Sequence, residues 1–158
     1  MAIELVQLTA VKQALKMPDG VSKEDGLLVS LIRSVSADFQ TRTGRNIAFG
    51  EYVEFLDKVD SSSTLFLKAW PVDLEKECTL YYDRNREFGE TTKVDASYYE
   101  IDETRGKIFL YGGYAEGKRV FKVKYSGGMA VLGAPDAGKE FWTLYPDIAQ
   151  AIVEEAVY

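Results

Sequence analysis

The chain contains no histidine. That removes the commonest general base near neutral pH and the commonest transition-metal ligand. It contains one cysteine, Cys78. An intrachain disulfide and a cysteine-rich zinc site are both excluded. A nucleophilic thiol needs a partner base, so Cys78, in the run ECTLYY, reads as a small apolar residue. Positive charge is in deficit: 19 Lys and Arg against 25 Asp and Glu give a formal net charge of -6. Such a surface repels a phosphate backbone, which argues against tight nucleic-acid binding and leaves only weak, transient passage of DNA. No apolar run approaches the ~20 residues a membrane helix needs. The opening MAIELVQL has neither the basic start nor the long apolar stretch of a signal peptide. These absences predict a soluble protein made in a reducing cytoplasm, with no membrane partner.

What is present is enough for a core. The 158 residues fit one compact domain, and 46% are hydrophobic, which argues against disorder over most of the length. Residues 9 to 17, TAVKQALKM, predict a short helix with Thr9 as N-cap and Val11, Ala14 and Leu15 on one face. Pro18-Asp19-Gly20 stops it. Ser22 is placed to cap a second helix at Asp25, and Leu27, Leu28, Leu31, Ile32, Val35 and Phe39 give that helix a broad apolar stripe. Gly44 suits its C-terminal end, with Arg42 and Arg45 beside the negative end of the dipole.

After Asn46 the texture changes. Residues 51–56, 64–69, 77–82, 97–102, 107–111 and 119–125 are short runs of aromatic and branched residues separated by polar breaks. This is the pattern of an antiparallel sheet or small sandwich. Asp102 to Gly106 reads as a tight hairpin connection. In RVFKVKY, Phe121, Val123 and Tyr125 should be buried and Lys122 and Lys124 wet, although Val120 lies on the lysine side. Gly127-Gly128 ends the sheet. Residues 129–145 read as an irregular connection. Pro146 then opens a last helix with Ile148, Ala149, Ile152, Val153 and Ala156 on its apolar face. The expected fold is α+β: an N-terminal helical pair and a C-terminal helix packed together, with a central antiparallel β-sheet or small sandwich. The boundaries of this single domain are 1–46 helical, 47–128 β-rich, 129–145 loop and 146–158 helix.

Two near-motifs suggest chemistry. Gly133 to Lys139 has the spacing GxxxxGK of a phosphate-cradling P-loop. Glu140 follows the lysine where Ser or Thr should hold magnesium, Pro135 removes an amide donor and Asp136 adds negative charge. Too little chain follows for the parallel sheet such a loop needs, so chance is the better reading. In DRNREFGE, Asp83, Asn85 and Glu87 alternate like a calcium loop, but the glycine comes one position late and strands flank it. A polar hairpin loop is the better reading. No cofactor, metal site or catalytic residue is expected. Phe141, Trp142 and Tyr145 are large aromatics beside the last helix; they either anchor a partner or fold back onto the core.

The order of these signals carries more than any one of them. LTAVKQALKM, DGLLVSLIRSVSADFQTRTGRNI, the pair YYEID and GKIFLYG, VKYSGG and YPDIAQAIVEEAVY together span nearly the whole chain. In that order they resemble the head–tail connector (adaptor) family of tailed bacteriophages. The resemblance implies a structural virion protein, not an enzyme. It implies a homo-oligomeric ring, typically of about twelve copies, placed in the neck below the portal protein. Such a ring extends the DNA channel, meets DNA only in transit, and presents a surface to a downstream neck or tail-completion protein. The acidic balance fits a channel past which DNA slides without sticking. Phe141, Trp142 and Tyr145 become the expected partner contacts. The stretch from Met129 to Leu144 is long for the family and the C-terminal tail short. The alternatives are another neck or tail-completion protein and, more remotely, a nucleotide-binding enzyme using Gly133–Lys139.

Overall fold

The computed structural model describes residues 4–18, 20, 23–59, 62–129 and 146–158. Its elements are α1 (Leu8–Ala14), α2 (Asp25–Thr43), β1 (Gly50–Lys58), β2 (Thr64–Phe66), β3 (Thr79–Tyr82), β4 (Tyr99–Asp102), β5 (Lys107–Leu110), β6 (Gly117–Gly127) and α3 (Pro146–Val157). The fold is α+β, as expected. The chain divides into two compact units, Met1–Phe49 with Met129–Tyr158, and Gly50–Gly128.

The first unit is helical. Leu28 and Ile32 of α2, Val11 of α1, and Ala149, Ile152 and Val153 of α3 share one core with Leu5, Val6, Ile47 and Met129. The stripe on α2 is narrower than the sequence suggests. Leu28, Ile32 and Ser36 are buried at the four-residue spacing that keeps side chains on one face, and Val35 and Phe39 pack against the same core as expected. Leu27 and Leu31 lie about 100° to one side of it and are 63% and 41% exposed. Ser36 is buried because its hydroxyl accepts the Leu5 amide at 3.2 Å, which tethers the extended N-terminal segment to the helix. Arg33 adds an ion pair to Glu4 at 2.7 Å.

The helix ends differ from expectation in detail. The N-cap of α1 is Gln7, and Thr9 lies inside the first turn. Its hydroxyl points back to the Gln7 side chain at 3.3 Å. With fewer than two turns, α1 buries Val11 fully and packs Leu8 and Ala10 partly against the core; Ala14 and Leu15 are exposed. Ser22 lies outside the described residues, and α2 begins at Asp25 after Glu24. Gly44 does end α2, in the left-handed conformation at φ 65° that glycine adopts without a Cβ clash.

The second unit is a small sandwich of two antiparallel three-stranded sheets, in the orders β1-β6-β3 and β2-β5-β4. Leu80, Phe121, Val123 and Tyr125 from the first sheet meet Leu65, Ile108 and Leu110 from the second in one core. As predicted, Phe121, Val123 and Tyr125 point inward, while Lys124 is exposed and Lys122 half-buried. Val120 is buried as well. The β1–β6 register slips between Leu56 and Lys58, and Arg119 takes φ 54°. That bulge resets the alternation and turns Val120 into the core.

Strand limits are shorter than the apolar runs where backbone donors find other partners. The Leu67 amide still donates in register with β5, to the Gly106 carbonyl at 2.8 Å. The next two amides, Lys68 and Ala69, donate to the Glu54 carboxylate and the Tyr125 hydroxyl, each at 3.0 Å. β4 starts at Tyr99 because Asp95 caps a 3-10 turn over Ala96–Tyr98. The hairpin between β4 and β5 turns through Gly106 at φ 61°, where an added Cβ would lie 2.7 Å from the Trp70 ring.

Candidate interaction surfaces

Each sheet of the sandwich has an outer face turned away from the shared core, and neither is an ordinary polar surface. On β2-β5-β4 the register places Thr64, Phe109 and Glu100 in one row and Phe66, Lys107 and Asp102 in the next. Tyr98 and Tyr111 extend this face beyond Glu100 and Phe109, joined by the Tyr111 amide to the Tyr98 carbonyl at 2.9 Å. Phe66 and Tyr111 are each 62% exposed, and Tyr98 and Phe109 are also exposed. The Tyr111 hydroxyl donates to the Glu100 carboxylate, and that bond holds the phenol above its ordinary pKa. Lys107 lies 5.7 Å from the centre of the Phe66 ring. The result is an aromatic face edged with the carboxylates Glu100 and Asp102. Contiguous exposed aromatics of this kind mark interaction surfaces.

The outer face of β1-β6-β3 carries the opposite charge at its centre. Val53 pairs with Lys124, and Phe55 with Lys122; across β6, Tyr81 also pairs with Lys122. Lys122 and Lys124 lie 5.5 and 5.7 Å from the Tyr81 ring centre, and Arg119 lies 4.7 Å from that of Phe55. Here the charged ends lie over the rings, Lys124 exposed and Lys122 half-buried with the Phe88 ring also 5.8 Å from its Nζ. Among the described residues neither Lys122 nor Lys124 has a carboxylate within ion-pair distance. A shallow groove of about 580 Å³ crosses one end of this face, where Glu51, Glu77 and Glu90 form an acidic rim around Lys124.

The helical unit has a smaller apolar groove of about 320 Å³, floored by Val35, Phe39, Ala151 and Ile152 and rimmed by Asp38, Arg42 and Glu155.

Inside the sandwich is one polar cluster. The Tyr125 hydroxyl donates to buried Glu54, whose carboxylate also accepts the Lys68 amide. Burial, and then the bond to Glu54, raises the Tyr125 phenol well above its ordinary value. These buried groups satisfy one another and tie β1, the Lys68–Ala69 segment and β6 together.

Cys78 is half-buried, and burial pushes its thiol up to about 11; at neutral pH it is protonated and unreactive. In the calcium-like loop, Asp83 accepts the amides of Asn85, Glu87 and Phe88 at 2.8 to 3.1 Å. Those amides, Asn85 foremost, lower its pKa. Its oxygens organise the turn that returns the chain to bridge Tyr81 with Lys93. Among the described residues no group of three acidic or sulfur ligands is placed to hold a metal ion, and no helix is long and apolar enough to cross a membrane.

The P-loop-like Gly133–Lys139 and the aromatics Phe141, Trp142 and Tyr145 lie outside the described residues, as does most of the connection 129–145. The exposed faces were missed as surfaces in the sequence, but a signal was there. Phe66 sits between Leu65 and Leu67, and Phe109 between Ile108 and Leu110. A strand apolar at every position in a small antiparallel sheet must present one apolar face outward.

No family model and no curated protein matches the chain. Solved structures do match its fold. A chain in the virion of a native gene transfer agent particle aligns with a TM-score of 0.64 at 18% identity, covering 99% of this chain and 79% of that one. A chain in the neck of an empty gene transfer agent particle, computed with C6 symmetry, aligns at 0.63 and 19% identity over 97% and 76%. A third, in the neck of the native particle computed with C12 symmetry, aligns at 0.55 and 20% identity over 99% and 79%. At these identities the likeness is one of fold, and it extends over essentially the whole chain.

Proposed function

We propose that this chain is a structural subunit of the neck of a tailed phage or phage-like particle. More finely, it is a head–tail connector: the whole chain acts as one ring subunit below the portal, extends the DNA channel and joins capsid to tail. The observation that carries this reading is the end-to-end fold likeness to chains of gene transfer agent necks. The order of sequence signals supports the same reading independently. So do the two exposed sheet faces, the aromatic one of β2-β5-β4 and the one of β1-β6-β3 that carries Val53, Phe55 and the lysines, which suit assembly by surface complementarity. With a formal net charge of -6, the subunit repels DNA phosphates, which suits a duct through which DNA passes. The place of work is the virion neck after synthesis in the host cytoplasm, and the partners are further copies, the portal and the next neck protein.

Native mass spectrometry over a concentration series, with and without magnesium-ATP and then with portal added, tests the reading. A ring-sized species, or capture by the portal, supports it. A stoichiometric nucleotide adduct overturns it in favour of Gly133–Lys139 as a nucleotide site. Capture by free tails instead of assembled heads makes the chain a tail-completion protein. Truncating Phe141, Trp142 and Tyr145 to alanine should impair partner assembly with the fold intact, and unimpaired assembly removes them as contacts.

A further inference from the structure

A closed ring of identical subunits joins through heterologous contacts, so every subunit must present two different, mutually complementary surfaces. The sandwich carries such a pair. We infer that neighbouring copies join by seating the aromatic, acidic-edged outer face of β2-β5-β4 of one copy on the apolar, basic outer face of β1-β6-β3 of the next. This rests on the ring reading above and names its contact.

Three observations point to a second copy as the occupant. The first is charge complementarity. Glu100 and Asp102 edge one face, and Lys122, Lys124 and Arg119 crown the other. Lys122 and Lys124 have no carboxylate partner among the described residues of their own chain, so they are open to a partner's carboxylates; on the facing side Glu100 accepts the Tyr111 hydroxyl and Asp102 lies 3.7 Å from Arg105, and a partner lysine shares those carboxylates. The second is matched chemistry. Phe66, Phe109 and Tyr111 on one side meet Val53 and Phe55 on the other, all exposed in the isolated chain. Large apolar groups at the centre with charges around them is the composition of a specific interface. The third is direction. The two faces are the opposite outer surfaces of one sandwich whose inner surfaces share a core. A subunit therefore cannot satisfy one face with its own other face, and pairing propagates from copy to copy.

Two variants of the full chain test this. Lys122→Glu with Lys124→Glu reverses the basic face; Phe66→Lys with Glu100→Lys reverses the aromatic-acidic one. All four positions lie on the outer faces, and circular dichroism checks that each variant folds. Each variant alone should lose association by about tenfold or more in midpoint concentration, because like charges now meet. An equimolar mixture should recover it, because each variant supplies the face that complements the other. Carbodiimide cross-linking of the unmutated chain gives a second readout independent of any variant. A link from Glu100 to Lys122 or Lys124 is expected, and it must be intermolecular because the residues face opposite ways.

If the unmutated chain assembles and both variants assemble equally well without the link, the face assignment is overturned while the ring reading stands. If the variants keep the ring but lose capture by the portal, these faces belong to that partner and the inference is again overturned. If the unmutated chain associates at no concentration and yields no link, self-pairing of these faces is refuted, and portal capture alone then judges the neck reading.

Discussion

Removing the Glu54 carboxylate should destabilise the β-sandwich far more than any surface charge. Glu54 is 8% exposed and accepts two donors: the Tyr125 hydroxyl and the Lys68 amide at 3.0 Å. Glu54→Ala leaves both without an acceptor. An unsatisfied buried donor costs about 1–3 kcal/mol. The Tyr125 hydroxyl is deep in the core and the Lys68 amide only half-buried, so a total near 3 kcal/mol is expected. Glu54→Gln keeps an acceptor oxygen and loses only the charge assistance, about 1 kcal/mol. With a urea slope of roughly 1 kcal/mol/M for a unit this small, the midpoint should fall by about 3 M for alanine and about 1 M for glutamine. Urea unfolding followed by near-ultraviolet circular dichroism measures both, since the tyrosines of this core report its packing. Tyr125→Phe in the same background completes a double-mutant cycle, and the two losses should not add. A loss below about 1 kcal/mol for Glu54→Ala would refute the reasoning, because it would mean that both donors find other partners at no cost.

Gly127→Ala should cost about 1–3 kcal/mol, because the new Cβ would lie 2.8 Å from the Ala69 carbonyl oxygen and 2.9 Å from that of Pro71, and backbone cannot step aside; thermal melting reads it. Ser36→Ala should cost about 1–3 kcal/mol by orphaning the Leu5 amide, and hydrogen exchange at that amide should accelerate more than at the α3 amides. Burial raises the phenols of Tyr125 and Tyr52 above the ordinary value of 10.0. The folded state therefore holds these protons longer than the unfolded one. Their contribution to stability is complete below about pH 10 and declines as pH rises above it, and the urea midpoint against pH should show that slope, flattened in Tyr125→Phe. Asp83 and Asp102 shift the opposite way, lowered chiefly by the Asn85 amide and the Thr104 hydroxyl respectively. Their contribution is present above the ordinary 3.8 and is lost as pH falls through their folded values.

Much of the fold was legible because local pattern and tertiary use agree. All six β-rich runs contain strands, and Pro146 and Gly44 sit at the helix ends that proline and glycine favour. What was not legible depends on partners distant in sequence. The long strand β6 lies between β1 and β3, far apart in the chain, and no local signal announces that order. Leu27 and Leu31 carry helical periodicity, yet packing against α1 and α3 selects the line through Leu28 and Ile32. β2 ends short of its apolar run because the Lys68 and Ala69 amides turn to the Glu54 and Tyr125 side chains, which lie on other strands. The basic aromatic face was half legible: Lys122 and Lys124 were placed outward, but Tyr81 and Phe55 beneath and beside them come from other strands. A surface assembled across a sheet is invisible to any reading made one segment at a time.

The chain enters the sandwich at Gly50 and leaves it by Gly127, and those two residues face each other in the β1–β6 ladder. On the helical side, Ala48 bridges Met129, and the Met129 amide donates to the Ile47 carbonyl at 2.7 Å. Entry and exit are thus clasped side by side, which makes the sandwich a cassette inserted into a helical host. Adjacent ends are the condition under which one module can be exchanged for another without retraining its host. A recombination event at this clasp would replace every residue on both outer sheet faces at once and leave the helical core intact.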